Sequence, residues 1–207
     1  RRLRRPAGGG AFDLPQAMRK PPHVIEVFLQ PGEWYFGDRQ TRMRTLLGSC
    51  VSITLWHPKL LIGGMCHYML PERGARRQSS PDGKYADEAF WLLLREIEKS
   101  GTALHEYEVK MFGGGNMFPS QNRCRQDHIG QKNAAFGKLL LQSHGVRAKA
   151  SDLGGIGHRT VLFDLWSGHV WVKKFTQNVA AACSGCEIRE ACFDPGRGES
   201  IRGMANA

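Results

Sequence analysis

The sequence predicts one compact domain that contains both β-strands and α-helices. Its 207 residues suit a single domain with tails. The chain is 41% hydrophobic and 23% charged, which is typical of ordinary globular proteins. Strand-like runs outnumber helical ones, and two stretches carry the apolar spacing of amphipathic helices. We therefore expect one folded core of mixed secondary structure.

The first half of the chain is predicted to be mainly strands. In chain order, these predicted strands are 23–30, 33–37, 50–56 and 60–70. Pro58 lies between the last two runs and suits the early position of a tight turn, so these runs are predicted to form a β-hairpin. Polar residues punctuated by Pro and Gly then predict an exposed loop at 71–83.

The second half is predicted to hold both helices. One covers 84–100, where apolar residues recur at three- and four-residue steps, and Gly101 is a plausible stop. The other covers 130–144, and Gly145 suits the left-handed position that ends a helix. Four strands are predicted around them, at 108–116, where the strand enters a glycine turn, and at 146–153, 159–165 and 169–175.

The two ends of the chain differ from its middle. Residues 1–22 read as a flexible basic leader and 176–207 as a cysteine-containing extension, which leaves 23–175 as the domain. The leader holds about half of the net charge of +10, and no pattern typical of nucleic-acid-binding domains accompanies that charge. No apolar run approaches the roughly 20 residues of a membrane span, and no signal peptide is recognisable. We therefore expect a cytoplasmic protein.

Cys50 and His67 form the pair that most suggests chemistry. If Pro58 and Lys59 are a two-residue hairpin loop, Cys50 lies directly opposite His67. Opposed residues have Cβ atoms about 4.5–5.5 Å apart. An imidazole at that distance can accept the proton of a thiol, so the pair is predicted to be a nucleophile and its base. The alternative is that Cys50 and His67 are both structural core residues. Cys66 is predicted to be a core thiol, because alternation along the strand directs its side chain to the opposite face of the sheet from His67.

Five motifs of the chain resemble those of one protein family. They are TLLGSCVSITLW, GGMCHYMLP, MFGGGNMF, IGQKN and DLGGIGHRTVLF. Their order and spacing resemble the chemoreceptor glutamine deamidase family, CheD, over residues 24–175. The resemblance implies an α+β fold with a three-layer α-β-β arrangement, in which a mixed β-sandwich-like core carries helices on one side.

The same resemblance implies an activity. A CheD-like enzyme converts selected glutamine side chains of methyl-accepting chemotaxis receptors to glutamate, with release of ammonia. Cys50 is then the nucleophile, His67 the base, and Thr45 completes the site. The reaction passes through a thioester and needs no metal or organic cofactor. The enzyme would be peripheral to receptor arrays without spanning the membrane, with a CheC-like chemotaxis phosphatase as a possible partner.

The oxyanion formed when the thiolate attacks requires hydrogen-bond donors. The residues predicted to bind this oxyanion or the substrate are Ser49, Gly48, Gly114 and Asn116. The glycine turn at 113–115 lacks the Lys-Ser/Thr pair of a P-loop, so a phosphate site is not favoured there.

Three further cysteines leave other functions open. Cys183, Cys186 and Cys192 could bind zinc, but a structural site uses four ligands, and the fourth would be His169, Cys124 or a partner residue. The CxxC spacing also allows a thiol-redox protein, although the strand-helix context of thioredoxin-like motifs is lacking. The cluster fits a disordered extension equally well. A non-catalytic adaptor that binds receptors or signalling proteins remains the alternative to an enzyme.

Overall fold

A computed structural model of the chain describes residues 19–74, 80–118 and 128–175. Most of the predicted leader and all of the predicted extension therefore lie outside the described residues. The strands are β1 Ile25–Leu29, β2 Trp34–Gly37, β3 Thr41–Leu47, β4 Val51–His57, β5 Ile62–Cys66, β6 Glu108–Gly113, β7 Ala150–Leu153, β8 His158–Asp164 and β9 His169–Phe175. The helices are α1 Ala86–Lys99 and α2 Ile129–Ser143.

The strands form two mixed sheets. One has the order β1-β3-β8-β9 and the other the order β2-β5-β4-β6-β7. In each sheet one pair is parallel, β1 with β3 and β6 with β7, while the remaining pairs are antiparallel. The protein is therefore an α+β fold with a sheet-based core, as predicted.

Two apolar clusters define three layers. One cluster joins the helices to the five-stranded sheet, and it includes Leu55 of β4, Phe90 of α1 and Leu141 of α2. The other lies between the sheets and includes Met43 of β3 and Phe112 of β6. The central strand β4 contributes to both clusters because successive side chains point to opposite faces. Both helices thus lie on one side of the paired sheets, which confirms the α-β-β arrangement.

Strand β3 is absent from the sequence predictions. Its buried positions alternate with more exposed ones, as in any half-buried strand, but two of the buried residues are Thr41 and Thr45. Threonine weakens the contrast between apolar and polar positions on which strand prediction depends. The hydroxyl of Thr45 is tolerated inside the protein because it is hydrogen-bonded.

The predicted two-residue hairpin loop is wrong. The pairing of β4 with β5 aligns Thr54 with Met65 and His57 with Ile62, so the loop is residues 58–61. Leu61 adopts a positive φ of 55° in this loop, and its N–H donates to the carbonyl of His57 at 2.9 Å. The longer loop shifts the register between the strands, and Cys50 therefore does not lie directly opposite His67.

The two helices lie close to their predicted positions. Gly145 has a φ of 73° and follows α2, which confirms it as the left-handed residue at that helix end. Of the segments that the structure describes, no helix has both the length and the apolar character that a membrane crossing requires. The predicted strand at 146–153 is shorter than expected, since only Ala150–Leu153 pairs with β6.

Candidate active site

His67 and Thr45 meet between the two sheets. His67 directly follows β5, whereas Thr45 lies on β3 of the other sheet, and Thr45 Oγ1 is 2.8 Å from His67 Nδ1. Both residues are buried, with exposed fractions of 1% for His67 and 0% for Thr45. The structure thus brings these two predicted site residues into direct contact.

The hydrogen bonds of Thr45 determine which nitrogen of His67 carries the proton. The Thr45 hydroxyl donates to the backbone carbonyl of Leu29 at 2.8 Å. A hydroxyl has one hydrogen, so Thr45 must accept the hydrogen bond that it shares with Nδ1. Nδ1 is therefore protonated and Nε2 carries an unshared electron pair. Nε2 is buried and finds no hydrogen-bond partner among the residues described.

Cys50 is not in the position predicted relative to His67. Val51 pairs with Tyr68, so the next pair along β4 is Ser52 with His67, and Cys50 is diagonal to His67. Diagonal neighbours on paired strands lie about 7–8 Å apart, a distance that a long or aromatic side chain can span. Cys50 also packs against the cluster between the sheets, which is the layer that contains His67.

Burial favours the neutral forms of both groups. It lowers the pKa of His67 below the ordinary 6.5, an effect that the Leu29 carbonyl and the charge of Glu33 oppose. It raises the pKa of Cys50 above the ordinary 9.0, and the backbone N–H of Cys50 acts in the opposite direction. Burial thus favours a protonated thiol at Cys50 and a neutral imidazole at His67.

A glycine turn supports the segment that carries Cys50. The N–H of Gly114 donates to the Cys50 carbonyl and the N–H of Gly115 to the Gly48 carbonyl, both at 2.8 Å. Gly114 has a φ of 70°, and a Cβ there would lie 2.7 Å from the Gly130 carbonyl oxygen. Only glycine fits this close approach to the start of α2. Of the predicted site residues, Gly48 and Gly114 are thus brought beside Cys50.

Asn116 lies farther along the same turn. Its N–H donates to the Gly155 carbonyl at 2.8 Å, and its side-chain Oδ1 accepts from the N–H of Phe118 at 3.1 Å. The side chain therefore stabilises its own turn. Ser49 is held through its backbone carbonyl, which accepts a hydrogen bond from α2.

The donor to Ser49 is Asn133, a residue that the sequence predictions did not single out. Its Nδ2 donates to the carbonyl of Ser49 at 3.0 Å and to the carbonyl of Met69 at 2.7 Å. One buried amide therefore ties the residue before Cys50 to the segment after His67. The sequence held a signal for Asn133, because this polar residue lies on the same face of α2 as the buried residues Ala134 and Leu141. A polar residue on a buried helix face usually has a specific hydrogen-bonding role.

Cys66 is a core thiol, as predicted. It is fully buried in the cluster under the helices, its Sγ donates to the Ile53 carbonyl at 3.8 Å, and burial raises its pKa to about 12. Within the described ranges, no group of three or more His, Cys, Asp or Glu residues could hold a metal ion. Of the residues in the zinc alternative, Cys124, Cys183, Cys186 and Cys192 lie outside those ranges, whereas His169 begins β9.

Comparison with known proteins agrees with the motifs. A family model described as CheD chemotactic sensory transduction matches residues 69–174. A protein of Pseudomonas syringae pv. tomato, named probable chemoreceptor glutamine deamidase CheD, is 49% identical over 157 residues, which cover 75% of this chain and 93% of that protein. The chain belongs to the CheD family.

Other CheD relatives match over a similar span. Probable chemoreceptor glutamine deamidase CheD 1 of Chromobacterium violaceum is 46% identical over 169 residues, 82% of this chain and 88% of that protein. The protein of the same name from Leptospira interrogans is 41% identical over 162 residues, 75% of this chain and 96% of that protein. The resemblance seen in the motifs is thus confirmed at the level of the family.

Proposed function

We propose that this CheD-family protein is a protein-glutamine deamidase that hydrolyses glutamine side chains of chemoreceptors, with Cys50 as nucleophile and His67 as base. The names of its relatives support the chemoreceptor substrate. The observation that supports the mechanism is the tautomer of His67. Its Nδ1–H donates a hydrogen bond to Thr45, and its buried Nε2 carries an electron pair that no described residue uses.

The reaction has two halves. In the first, Nε2 of His67 accepts the thiol proton while Sγ of Cys50 bonds to the carboxamide carbon, and the imidazolium then protonates the departing ammonia. The product of this half is a thioester between Cys50 and the substrate side chain. In the second half, Nε2 accepts a proton from water as the water oxygen bonds to the same carbon. The carbon–sulfur bond breaks, the proton returns to Sγ, and a glutamate side chain is released.

Thr45 acts on this chemistry through His67. By accepting the Nδ1 hydrogen it holds the imidazole in the tautomer that leaves Nε2 free, and it stabilises the imidazolium that forms transiently. The Leu29 carbonyl, which accepts the Thr45 hydrogen, keeps the hydroxyl in the accepting orientation. Thr45 is therefore a positioning residue for the base.

A non-catalytic adaptor fits these observations less well. In an adaptor, Cys50 and His67 would be structural, and a buried structural histidine is expected to hydrogen-bond through both nitrogens. Among the described residues Nε2 has no such partner, so its electron pair stays available to accept a proton from a thiol or a water. We also propose that the enzyme acts in the cytoplasm beside receptor arrays. A CheC-like phosphatase is the proposed partner, and co-purification of the two proteins would test their association.

The proposal is tested with receptor fragments and mass spectrometry of the glutamine-to-glutamate conversion. Cys50→Ala should abolish conversion, whereas Cys66→Ala, which removes the other thiol of the described core, should retain it. In the His67→Ala protein, iodoacetamide should alkylate Cys50 more slowly than in the wild type near neutral pH. At alkaline pH the alkylation rate should recover, because hydroxide then deprotonates the thiol in place of the imidazole. Wild-type alkylation of the His67→Ala protein at every pH would exclude His67 as the base.

A further inference from the structure

Ser52 lies directly opposite His67 across the paired strands. Val51 and Tyr68 exchange two backbone hydrogen bonds, of 3.0 and 2.9 Å. The next pair, Ser52 with His67, is therefore a pair without mutual backbone hydrogen bonds, the arrangement in which opposed side chains are closest. The backbone of His67 is bonded instead to Gly32 and Glu33 on its other side. Both side chains point into the layer between the sheets.

Each of these side chains carries a buried polar atom that lacks a partner. Ser52 Oγ and His67 Nε2 are both inaccessible to solvent, and neither forms a hydrogen bond with any residue that the structure describes. Ser52 is 0% exposed. Buried hydroxyls and imidazole nitrogens are nearly always hydrogen-bonded to protein or to ordered water. Two unpartnered atoms at directly opposed positions therefore indicate a shared ligand between them.

The surroundings restrict what this ligand is. The layer between the sheets is lined by apolar side chains such as Leu29, Leu47 and Phe112. Thr45, the buried hydroxyl in contact with His67, already forms hydrogen bonds with the Leu29 carbonyl and with the opposite nitrogen of His67. A small neutral molecule that can donate to both a hydroxyl oxygen and an imidazole nitrogen fits this site. Water has these properties, and buried waters typically bridge such polar groups.

We propose that Ser52 Oγ and His67 Nε2 together bind the water that hydrolyses the thioester on Cys50. The proposal rests on the deamidase function proposed above. One water hydrogen is donated to Nε2 and the other to Ser52 Oγ, which leaves an oxygen lone pair directed at the thioester carbon. As the oxygen–carbon bond forms, Nε2 takes its proton. The carbon–sulfur bond then breaks, and the same proton passes to Sγ of Cys50.

The position of Cys50 supports a role for His67 in both halves of the reaction and for Ser52 in the second half alone. Along β4, Cys50 and Ser52 lie on the same face, two residues apart, and His67 is opposed to Ser52 and diagonal to Cys50. Nε2 can therefore serve the thiol in the first half of the reaction and the water in the second. Ser52 touches only the water, so it is a positioning residue for the second half alone.

The test separates the two halves of the reaction. Wild-type and Ser52→Ala proteins are mixed in excess with a receptor fragment, and ammonia release is compared with release of the glutamate product. In Ser52→Ala, the first ammonia should appear within about twofold of the wild-type rate. Thioester hydrolysis should slow by about tenfold, the factor expected for one lost hydrogen bond. Enzyme joined covalently to the fragment should then accumulate, and hydroxylamine should release it.

Thr54→Val is the matched control. Thr54 is a buried residue on the same face of β4, directly opposite Met65 rather than His67, so its variant removes a hydroxyl from a strand position that is not opposed to the base. In the Thr54→Val protein, the ratio of the rate of ammonia release to the rate of thioester hydrolysis should equal that of the wild type. If Ser52→Ala lowers the melting temperature, Ser52→Gly repeats the measurement at the same strand position.

The possible results are distinct. No accumulation of the conjugate in Ser52→Ala, or an equal slowing of ammonia release and hydrolysis, would overturn the water site while leaving the deamidase proposal standing. Failure of the deamidase proposal has another signature, because the wild-type protein itself would then release no ammonia from the fragment and Cys50→Ala would behave identically.

Discussion

The hydroxyl of Thr45 accepts a hydrogen bond from Nδ1–H of His67, because it donates its only hydrogen to the Leu29 carbonyl. This contact links β3 of one sheet to the end of β5 in the other. The orientation of the proposed base therefore depends on how the two sheets pack. Thr45, which no strand prediction included, thus determines which nitrogen of His67 carries the hydrogen.

Replacement of Thr45 tests this relationship. Thr45→Val keeps the shape of the side chain but leaves the Nδ1–H of His67 without its acceptor, so the turnover number for deamidation should fall about tenfold or more. Thr45→Ser keeps the hydroxyl and should retain most of the activity. Turnover is measured by mass spectrometry of a receptor fragment at saturating concentration. Equal activity of the Val and Ser variants would contradict the assigned role.

The pH dependence of deamidation should show the lowered pKa of His67. Burial keeps Nε2 unprotonated below the ordinary pKa of 6.5, so the rate at limiting substrate should decline only as the pH falls through a lower value. The charge of Glu33 raises the pKa of His67, and Glu33→Gln should therefore move this decline to still lower pH. A wild-type profile that already declines above 6.5 would show that another group controls the rate.

Asn133 should be needed for both stability and activity. Asn133→Asp removes the donors to the Ser49 and Met69 carbonyls and places a carboxyl group against them. The free energy of unfolding in urea should fall by at least about 2 kcal/mol, because two backbone carbonyls lose their hydrogen-bond partner and a carboxyl group is buried against them. Gln131→Glu, the same chemical change at an exposed position of α2, should have little effect.

The activity of the Asn133→Asp protein gives a second measurement. Under conditions in which the variant is fully folded, alkylation of Cys50 and deamidation should both be slower than in the wild type, since the segments bearing Cys50 and His67 are no longer tied together. Wild-type alkylation kinetics in a folded Asn133→Asp protein would argue against this positioning role.

Gly114 should tolerate alanine less well than a glycine with the same backbone conformation elsewhere. Gly114 and Gly145 have φ values of 70° and 73°, but a Cβ would meet the Gly130 carbonyl oxygen at 2.7 Å only at Gly114. Both alanine variants carry left-handed strain of about 1–2 kcal/mol, and Gly114→Ala should lose about 1–3 kcal/mol more through overpacking. Thermal or urea unfolding of the two proteins measures the difference. Equal losses of stability would show that α2 moves enough to accommodate the added methyl group.

Both helices, most of the strands and the residues of the candidate site could be predicted from the sequence alone. The helices at 84–100 and 130–144 follow from apolar spacing, and the buried strand after Cys50 follows from its continuous run of β-forming residues. The motifs around Thr45, Cys50 and His67 identified the family, because residue types at fixed spacing persist in the chain whatever its three-dimensional arrangement. These features are local, so they can be predicted before any long-range contact is known.

How the candidate site residues face one another depends on strand pairing and sheet packing, which the sequence did not reveal. A loop of four residues instead of two moved Cys50 from opposite His67 to diagonal, and brought Ser52 to the opposed position. Loop length depends on the pairing of whole strands, which one proline cannot reveal. The tautomer of His67 likewise depends on the Leu29 carbonyl, a group from a distant part of the chain that carries no sequence signal. Directional hydrogen bonds between sheets exist only after the sheets have packed.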